Sequence, residues 1–400
     1  MNRNFLLEND VAVRLYENYA KSLPIIDFHN HISVKDLSRD RQFQNITEIW
    51  LESDPYKHRL MRIMGVEEKY ITGDAPSFEK FQKFCAVFPD LAGTPVYDWS
   101  RMELSAIFGI DTLPSESTAR QIYDAANALL QKKEYSMQGI LSRLSIEYQS
   151  PVATLHEDLT PFREAGVAPS LRGDELLTTD MPADLVERLD AFEAAGCRFA
   201  DHSLDAGFLE QGNTDRLVVL AKEYAKRGWT LLLHLGALRK TSTRLAQIAG
   251  PAGGYAAAGS GIPVERLCAL LNEMEEAGAL PKTVLFPLNL QDQSALAILE
   301  GSFSADGVAA KVQLGPAWWW CDHAFGIRHS LNCIASFGVL SQFIGMTTDS
   351  RSPLSFVRHD YFRRLLCSWV SQQEFGQTEE QLGRLIRKIC YENAKRRIEK

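Results

Sequence analysis

The chain has 400 residues, 45% apolar and 24% charged, the proportions of an ordinary globular protein. Its net charge of -8 argues against nucleic acid or an anionic membrane as a partner, so a site for an anionic ligand has to be locally basic. Seven scattered cysteines without a CxxC pair read as reduced thiols, and neither a signal-like segment nor an apolar run of about 20 residues occurs, so a cytoplasmic location is expected.

Near the N-terminus the strand-like run Pro24-Ile25-Ile26-Asp27-Phe28 leads straight into His29-Asn30-His31. Alternate residues of a strand share a face, so His29 and His31 offer two imidazoles to one divalent cation, although such a pair also occurs as surface or structural histidines. The pattern then turns helical, with amphipathic stretches at 46–51, 56–62, 77–88 and 117–133. This predicts a helical insertion, residues 34–144, after an N-terminal segment and first strand within 1–33. From Ser145 onward short apolar strands alternate with helical stretches, as in βα repeats.

The strands predicted are 25–28, 146–148, 166–170, 197–200, 230–233, 283–286, 310–314 and 343–347, with helices at 183–195, 214–226, 264–277 and 329–337 among them. Residues 145–357 thus hold the remainder of a barrel. The Gly/Ala/Ser-rich stretch 249–261 reads as a loop, and residues 358–400 as charged helices packed outside the barrel.

In a barrel of this type the chemistry lies at the C-terminal ends of the strands. Those ends carry His29 and His31, Arg172, Asp201-His202, His234, Trp318-Trp319-Trp320, and Asp349 with Arg351. Asp349, leaving the last strand, supplies an anionic ligand to match the two imidazoles, a set suited to zinc or manganese. Asp349-Ser350-Arg351 also fits a helix N-cap and turn. His234 reads as a site residue or a hydrogen-bonded core histidine, and Asp201-His202 as site residues or a bridge to a loop. The tryptophans suit packing or a wall beside a sugar ring. Arg172 and Arg351 on one face suit a carboxylate, or pair with acids.

Ordered segments along nearly the whole chain resemble one family. They include Phe43-Gln44-Asn45-Ile46-Thr47-Glu48-Ile49-Trp50-Leu51, Leu233-His234-Leu235-Gly236-Ala237-Leu238-Arg239 and Thr348-Asp349-Ser350-Arg351-Ser352, followed by Arg358-His359-Asp360-Tyr361-Phe362-Arg363-Arg364. In these the chain resembles the uronate isomerases of the amidohydrolase superfamily, also called glucuronate isomerases. The resemblance implies an α/β fold, a (β/α)8 TIM-like barrel with a helical insertion after the first strand. It also implies a metal-dependent aldose-ketose isomerase acting on a hexuronate, D-glucuronate to D-fructuronate or D-galacturonate to D-tagaturonate.

Carried over by position, His29, His31, His234 and Asp349 are implied as metal ligands, for zinc first and manganese second. Asp349, Tyr56 and Arg351 are implied as catalytic, and Arg172 with Arg351 as holding the sugar acid. The strand-end reading adds Trp318, Trp319 and His202 to the substrate contacts. The expected partner is a small-molecule sugar acid, and the expected assembly a homo-oligomer. A hydrolase or lactonase acting on a sugar acid at the same barrel mouth is the alternative. The chain departs from the family at Asp54-Pro55-Tyr56, where the family has Asp-His-Tyr, and at Arg172-Gly173-Asp174-Glu175, where it has Arg-Pro-Asp-Lys.

Overall fold

The computed structural model of the chain describes residues 2–212 and 214–399. Its strands are β1 (Ile25–Asn30), β2 (Ile146–Thr154), β3 (Ser170–Arg172), β4 (Phe199–Leu204), β5 (Thr230–Leu235), β6 (Ala237–Leu238), β7 (Ala257–Ala258), β8 (Lys282–Pro287) and β9 (Val312–Leu314). Seven of them form one parallel sheet in the order β1-β2-β3-β4-β5-β8-β9, while β6 and β7 make a separate antiparallel pair. Helices connect the strands and cover the outer face, as parallel pairing requires. Hence β1 and β5 are buried along their whole length, and β5 reads in sequence as a mostly apolar run.

The eighth strand predicted at 343–347 does not join the ladder. Gly345 has φ 87°, and a Cβ there would collide with the carbonyl oxygen of Ile389. A chain turned through that conformation cannot carry regular parallel pairing. The segment closes the ring by mixed hydrogen bonds instead. On one side the Ile344 N–H donates to Oε1 of Gln313 in β9 at 2.9 Å. On the other, the Thr347 hydroxyl accepts from the His29 N–H at 2.9 Å and donates to the His29 carbonyl at 2.7 Å. Beyond it, the Asp349 N–H donates to the His29 carbonyl (3.1 Å) and the His31 N–H to the Ser350 carbonyl (2.8 Å). The product is a (β/α)8 barrel in which the eighth position is an extended segment rather than a ladder strand.

Between β1 and β2 the chain is helical, with Ile46–Trp50, Pro55–Ile63, Ser77–Val87, Pro95–Phe108 and Ala119–Leu130 among its elements. One start matters for the site. The Asp54 side chain accepts from the Tyr56 and Lys57 N–H groups, and Pro55 takes the first helical position, where its missing N–H costs nothing. Lys57 is buried there between Asp54 (2.8 Å) and Glu103 (3.2 Å).

Several charges of the helix Arg358–Ser371 face inward. Arg363 donates to the Leu23 and Pro24 carbonyls at 2.8 Å each, His359 Nε2 lies 2.8 Å from Asp27 Oδ2, and Arg358 Nη1 lies 2.9 Å from Asp322 Oδ2. Among the described residues no helix is long and apolar enough to cross a membrane.

Thr347→Val preserves the shape of the side chain but strips the buried His29 N–H of its acceptor, at a cost of about 1–3 kcal/mol. The unfolding midpoint in a denaturant titration is expected to fall accordingly, and Thr347→Ser, which keeps the hydroxyl, to retain most of the stability.

Candidate active site

The seam between β1 and the segment ending at Asp349 assembles the centre of the site. His29 and His31 share one side of the chain, and Asp349 is pinned opposite them by its own N–H bond to His29. Asp349 Oδ1 lies 3.3 Å from His29 Nε2 and 3.0 Å from His31 Nε2. Its other oxygen accepts from the Trp318 indole N–H at 2.7 Å, which fixes the rotamer of the carboxylate. Asp349 itself holds a left-handed backbone, φ 49°, which aspartate tolerates better than most residues.

A second cluster shares His29. Asp201 Oδ1 is 2.6 Å from His234 Nδ1, and Arg172 Nη1 donates to Asp201 Oδ2 at 2.8 Å. His234 Nε2 is buried without a hydrogen-bond partner, as is His29 Nδ1. Among the described residues, two groups converge closely enough to hold one ion, His29-Asp201-His234 and His29-His31-Asp349, with ligand atoms all within 4.8 Å of one another in each.

These donors fit a divalent cation. Two ligand atoms, each about 2.1 Å from a tetrahedral cation, sit about 3.4 Å apart, close to both His–Asp349 separations. The hydrogen bond from His234 Nδ1 to Asp201 leaves Nε2 as the free donor atom, the arrangement usual behind a metal-binding imidazole.

The electrostatics agree. Burial would raise the Asp349 carboxyl, but the adjacent His29 and His31 rings outweigh it and hold it well below the usual carboxylate range. Burial pushes His31 down to about 4 and also lowers His234, so both rings are neutral near pH 7, the form that binds metals. Burial likewise opposes ionisation of Asp201, yet Arg172 and His234 keep it well below its ordinary value.

His29, His31, His234 and Asp349 line part of a cavity of about 280 Å³. Pro55, Tyr56, Trp318, Trp319, Arg172, Arg239 and Arg351 line the rest. The three arginines differ in kind. Arg172 is engaged by Asp201 and, at 2.7 Å, by Asp174, while Arg239 is 3.0 Å from Asp205. Arg351 has no hydrogen bond or ion pair among the described residues, and burial together with Arg172 and Arg239 lowers its pKa. It is the cation of the cavity that lacks an anion.

Of the residues singled out in the sequence, His29, His31, Tyr56, Arg172, His234, Trp318, Trp319, Asp349 and Arg351 meet in this cavity. His202 does not. Strand alternation turns it away from the barrel interior, where its Nε2 lies 2.9 Å from the Tyr224 hydroxyl, and Asp201 takes the inward place. Gly173 packs directly against the His202 ring. A Cβ at 173 would collide with the His202 ring, and the Gly173 N–H bonds to the Asp201 carbonyl at 3.0 Å. His58 is buried outside the cavity and does not replace the histidine that Pro55 displaces.

Three polar residues were missed, Arg239, Asp322 and Arg358, and of the pair Asp201-His202 the sequence favoured His202 as a substrate contact. Asp201 was visible at a strand end, but an all-buried strand gives no polarity alternation from which to choose between it and His202. Arg239 stands just past β6 and carried no signal of its own. Asp322 and Arg358 lie outside the strand ends, and only the packing of the helix at 358–371 joins them.

A sequence model described as glucuronate isomerase matches residues 1–183 and 208–397. The uronate isomerase of Caldanaerobacter subterraneus subsp. tengcongensis is 36% identical to the chain, covering 99% of this chain and 98% of that protein. The uronate isomerase of Geobacillus thermodenitrificans is 38% identical, covering 98% and 97%. The crystal structure of uronate isomerase from Thermotoga maritima superimposes with a TM-score of 0.90 at 26% identity, over 100% of this chain and 99% of that one. The chain therefore belongs to the glucuronate isomerase family.

Proposed function

We propose that the chain is a divalent-metal-dependent aldose-ketose isomerase acting on a hexuronate, D-glucuronate to D-fructuronate or D-galacturonate to D-tagaturonate. The observation that carries this reading is one cavity with converging imidazole and carboxylate donors at one end and an unpaired guanidinium, Arg351, within reach. A sugar acid has the matching chemistry: adjacent carbonyl and hydroxyl oxygens at C1 and C2, and a carboxylate at C6.

His29, His31, His234 and Asp349 would hold the cation, with zinc preferred and manganese second for a nitrogen- and oxygen-rich set. When bound, it supplies Lewis acidity to the sugar's carbonyl and hydroxyl oxygens. Arg351 binds the carboxylate, with Arg172 and Arg239 adding positive potential. Trp318 holds one Asp349 oxygen by its indole N–H and, with Trp319, presents flat apolar surface to the sugar. Asp349 takes the proton from C2 and returns it to C1. The Tyr56 hydroxyl exchanges a proton with the O1 and O2 oxygens. Asp349 suits its task because it is ionised and rigidly held, so little reorganisation precedes proton transfer.

Incubation with D-glucuronate and D-galacturonate, following ketose formation, tests the reading; acid release from a lactone panel without ketose formation would favour the hydrolase alternative. Asp349→Asn is expected to lower kcat by roughly 10³-fold. Near-normal turnover in that variant would rule out the role given to Asp349.

Arg351→Met is expected to reduce kcat/KM for the uronate by roughly 10²-fold, the worth of a charge-assisted pair of about 2–3 kcal/mol. Preference for the uronate over the corresponding neutral hexose should shrink by the same factor. A variant that keeps its discrimination would place the carboxylate elsewhere. Exhaustive chelation should abolish turnover, and readdition of zinc or manganese should restore it.

A further inference from the structure

Tyr56 has an unusual setting for a residue facing a polar cavity. Its hydroxyl lies 2.8 Å from Asp322 Oδ2 and 3.2 Å from the Trp319 carbonyl oxygen. When Asp322 is ionised the single phenolic proton points toward these acceptors; when Asp322 is protonated its O–H donates to the phenol oxygen and the phenolic proton is free for the cavity. The Trp319 carbonyl comes from a residue in the left-handed region, φ 48°, a costly conformation for a bulky side chain and one that gathers at functional sites.

Asp322 is held as tightly. It is only 4% exposed, and Arg358 Nη1 donates to the oxygen shared with Tyr56 at 2.9 Å. The Arg358 guanidinium lies 5.4 Å from the Tyr56 ring centroid and 4.8 Å from that of Trp99. Asp322 and Tyr56 also line a second cavity, of about 410 Å³. The pair thus stands in the wall between the catalytic cavity and a neighbouring one.

We propose that Asp322, anchored by Arg358, is the positioning residue and proton partner of Tyr56 in the isomerisation. The inference rests on the function proposed above and assigns a new role within it. In the aldose-to-ketose direction, O1 gains a proton and O2 loses one, separately from the transfer between C2 and C1. Tyr56 gives its hydroxyl proton to O1 and is reprotonated from the Asp322 carboxyl. When the carbonyl forms at C2, the O2 proton passes to Tyr56 while the Tyr56 proton returns to Asp322. One O–H bond is broken for each one formed, and the pair ends as it began.

The titration behaviour is compatible with this exchange. Burial holds the Asp322 carboxyl up to about 7 despite Arg358, so it both gives and accepts a proton near neutrality. Burial and Asp322 push the Tyr56 phenol well above its ordinary value, which keeps it protonated at rest. The titratable and charged groups around Asp322 are Tyr56 and Arg59 on one helix, Arg358 and Tyr361 on another, Asp349 across the cavity, and the adjacent His323.

The test is steady-state kinetics of the full-length, zinc-loaded protein on D-glucuronate and D-galacturonate. Asp322→Asn is expected to lower kcat by roughly 10²-fold with KM little changed. The double variant Tyr56→Phe/Asp322→Asn should be no slower than Tyr56→Phe alone, because residues acting through one another are not additive. Should Asp322→Asn fail to fold with Arg358 left unpaired, Asp322→Asn/Arg358→Gln removes both charges and should show the same loss in kcat. Wild-type kcat in the Asp322 variant, a loss confined to KM, or a loss that multiplies with that of Tyr56→Phe overturns the assignment while leaving the isomerase reading intact. A wild-type protein that turns over neither hexuronate overturns both.

Discussion

The structure depends on the seam where the first strand meets the chain at 343–350. Two backbone bonds, from Asp349 to His29 and from His31 to Ser350, together with the Thr347 hydroxyl, close a ring that the sheet ladder leaves open. The same bonds set the distance between Asp349 and the two imidazoles. Closure of the fold and construction of the site are therefore one event. A chain that failed to close here would lose its metal donors together with its barrel.

That economy explains how so many buried polar groups are tolerated. Unpaired, each would cost several kcal/mol. Asp27 is fully buried yet accepts from Asn30 at 3.0 Å and the Thr348 N–H at 2.8 Å, and lies 2.8 Å from His359. Asp201 is satisfied by Arg172 and His234. Among the groups left wanting, His29 Nδ1, His234 Nε2 and Asp349 Oδ1 lie together at the barrel mouth, and Arg351 beside them is unpaired. Unpaired polar groups that line a shared cavity describe the ligand it would take. Here they describe a cation beside an anion, in a space of sugar size.

The departures from the family motifs are intelligible in the same terms. Pro55 completes a standard helix start and keeps Tyr56 in place without a neighbouring histidine. Gly173 leaves room for the His202 ring, which a Cβ at that position would meet. The Gly/Ala-rich stretch after β6 rests on the carbonyl of Pro55 through Gly254, whose left-handed backbone and lack of a Cβ permit the approach.

Much of this was legible from the amino acids. Buried parallel strands appear as apolar runs, a histidine pair after such a run advertises ligands, and the ends of strands mark a barrel's working face. Those local patterns pointed to the barrel, the HxH pair, Asp349, Arg172 and Arg351. They did not specify which of Asp201 and His202 faces inward, since neither face of an all-buried strand meets water. Nor did they reveal that Gly345 interrupts the last strand, or that Arg358 reaches Asp322. Local periodicity reports on neighbours in the chain, whereas these features depend on which groups residues far apart in sequence present to one another, and only the packed ring decides that.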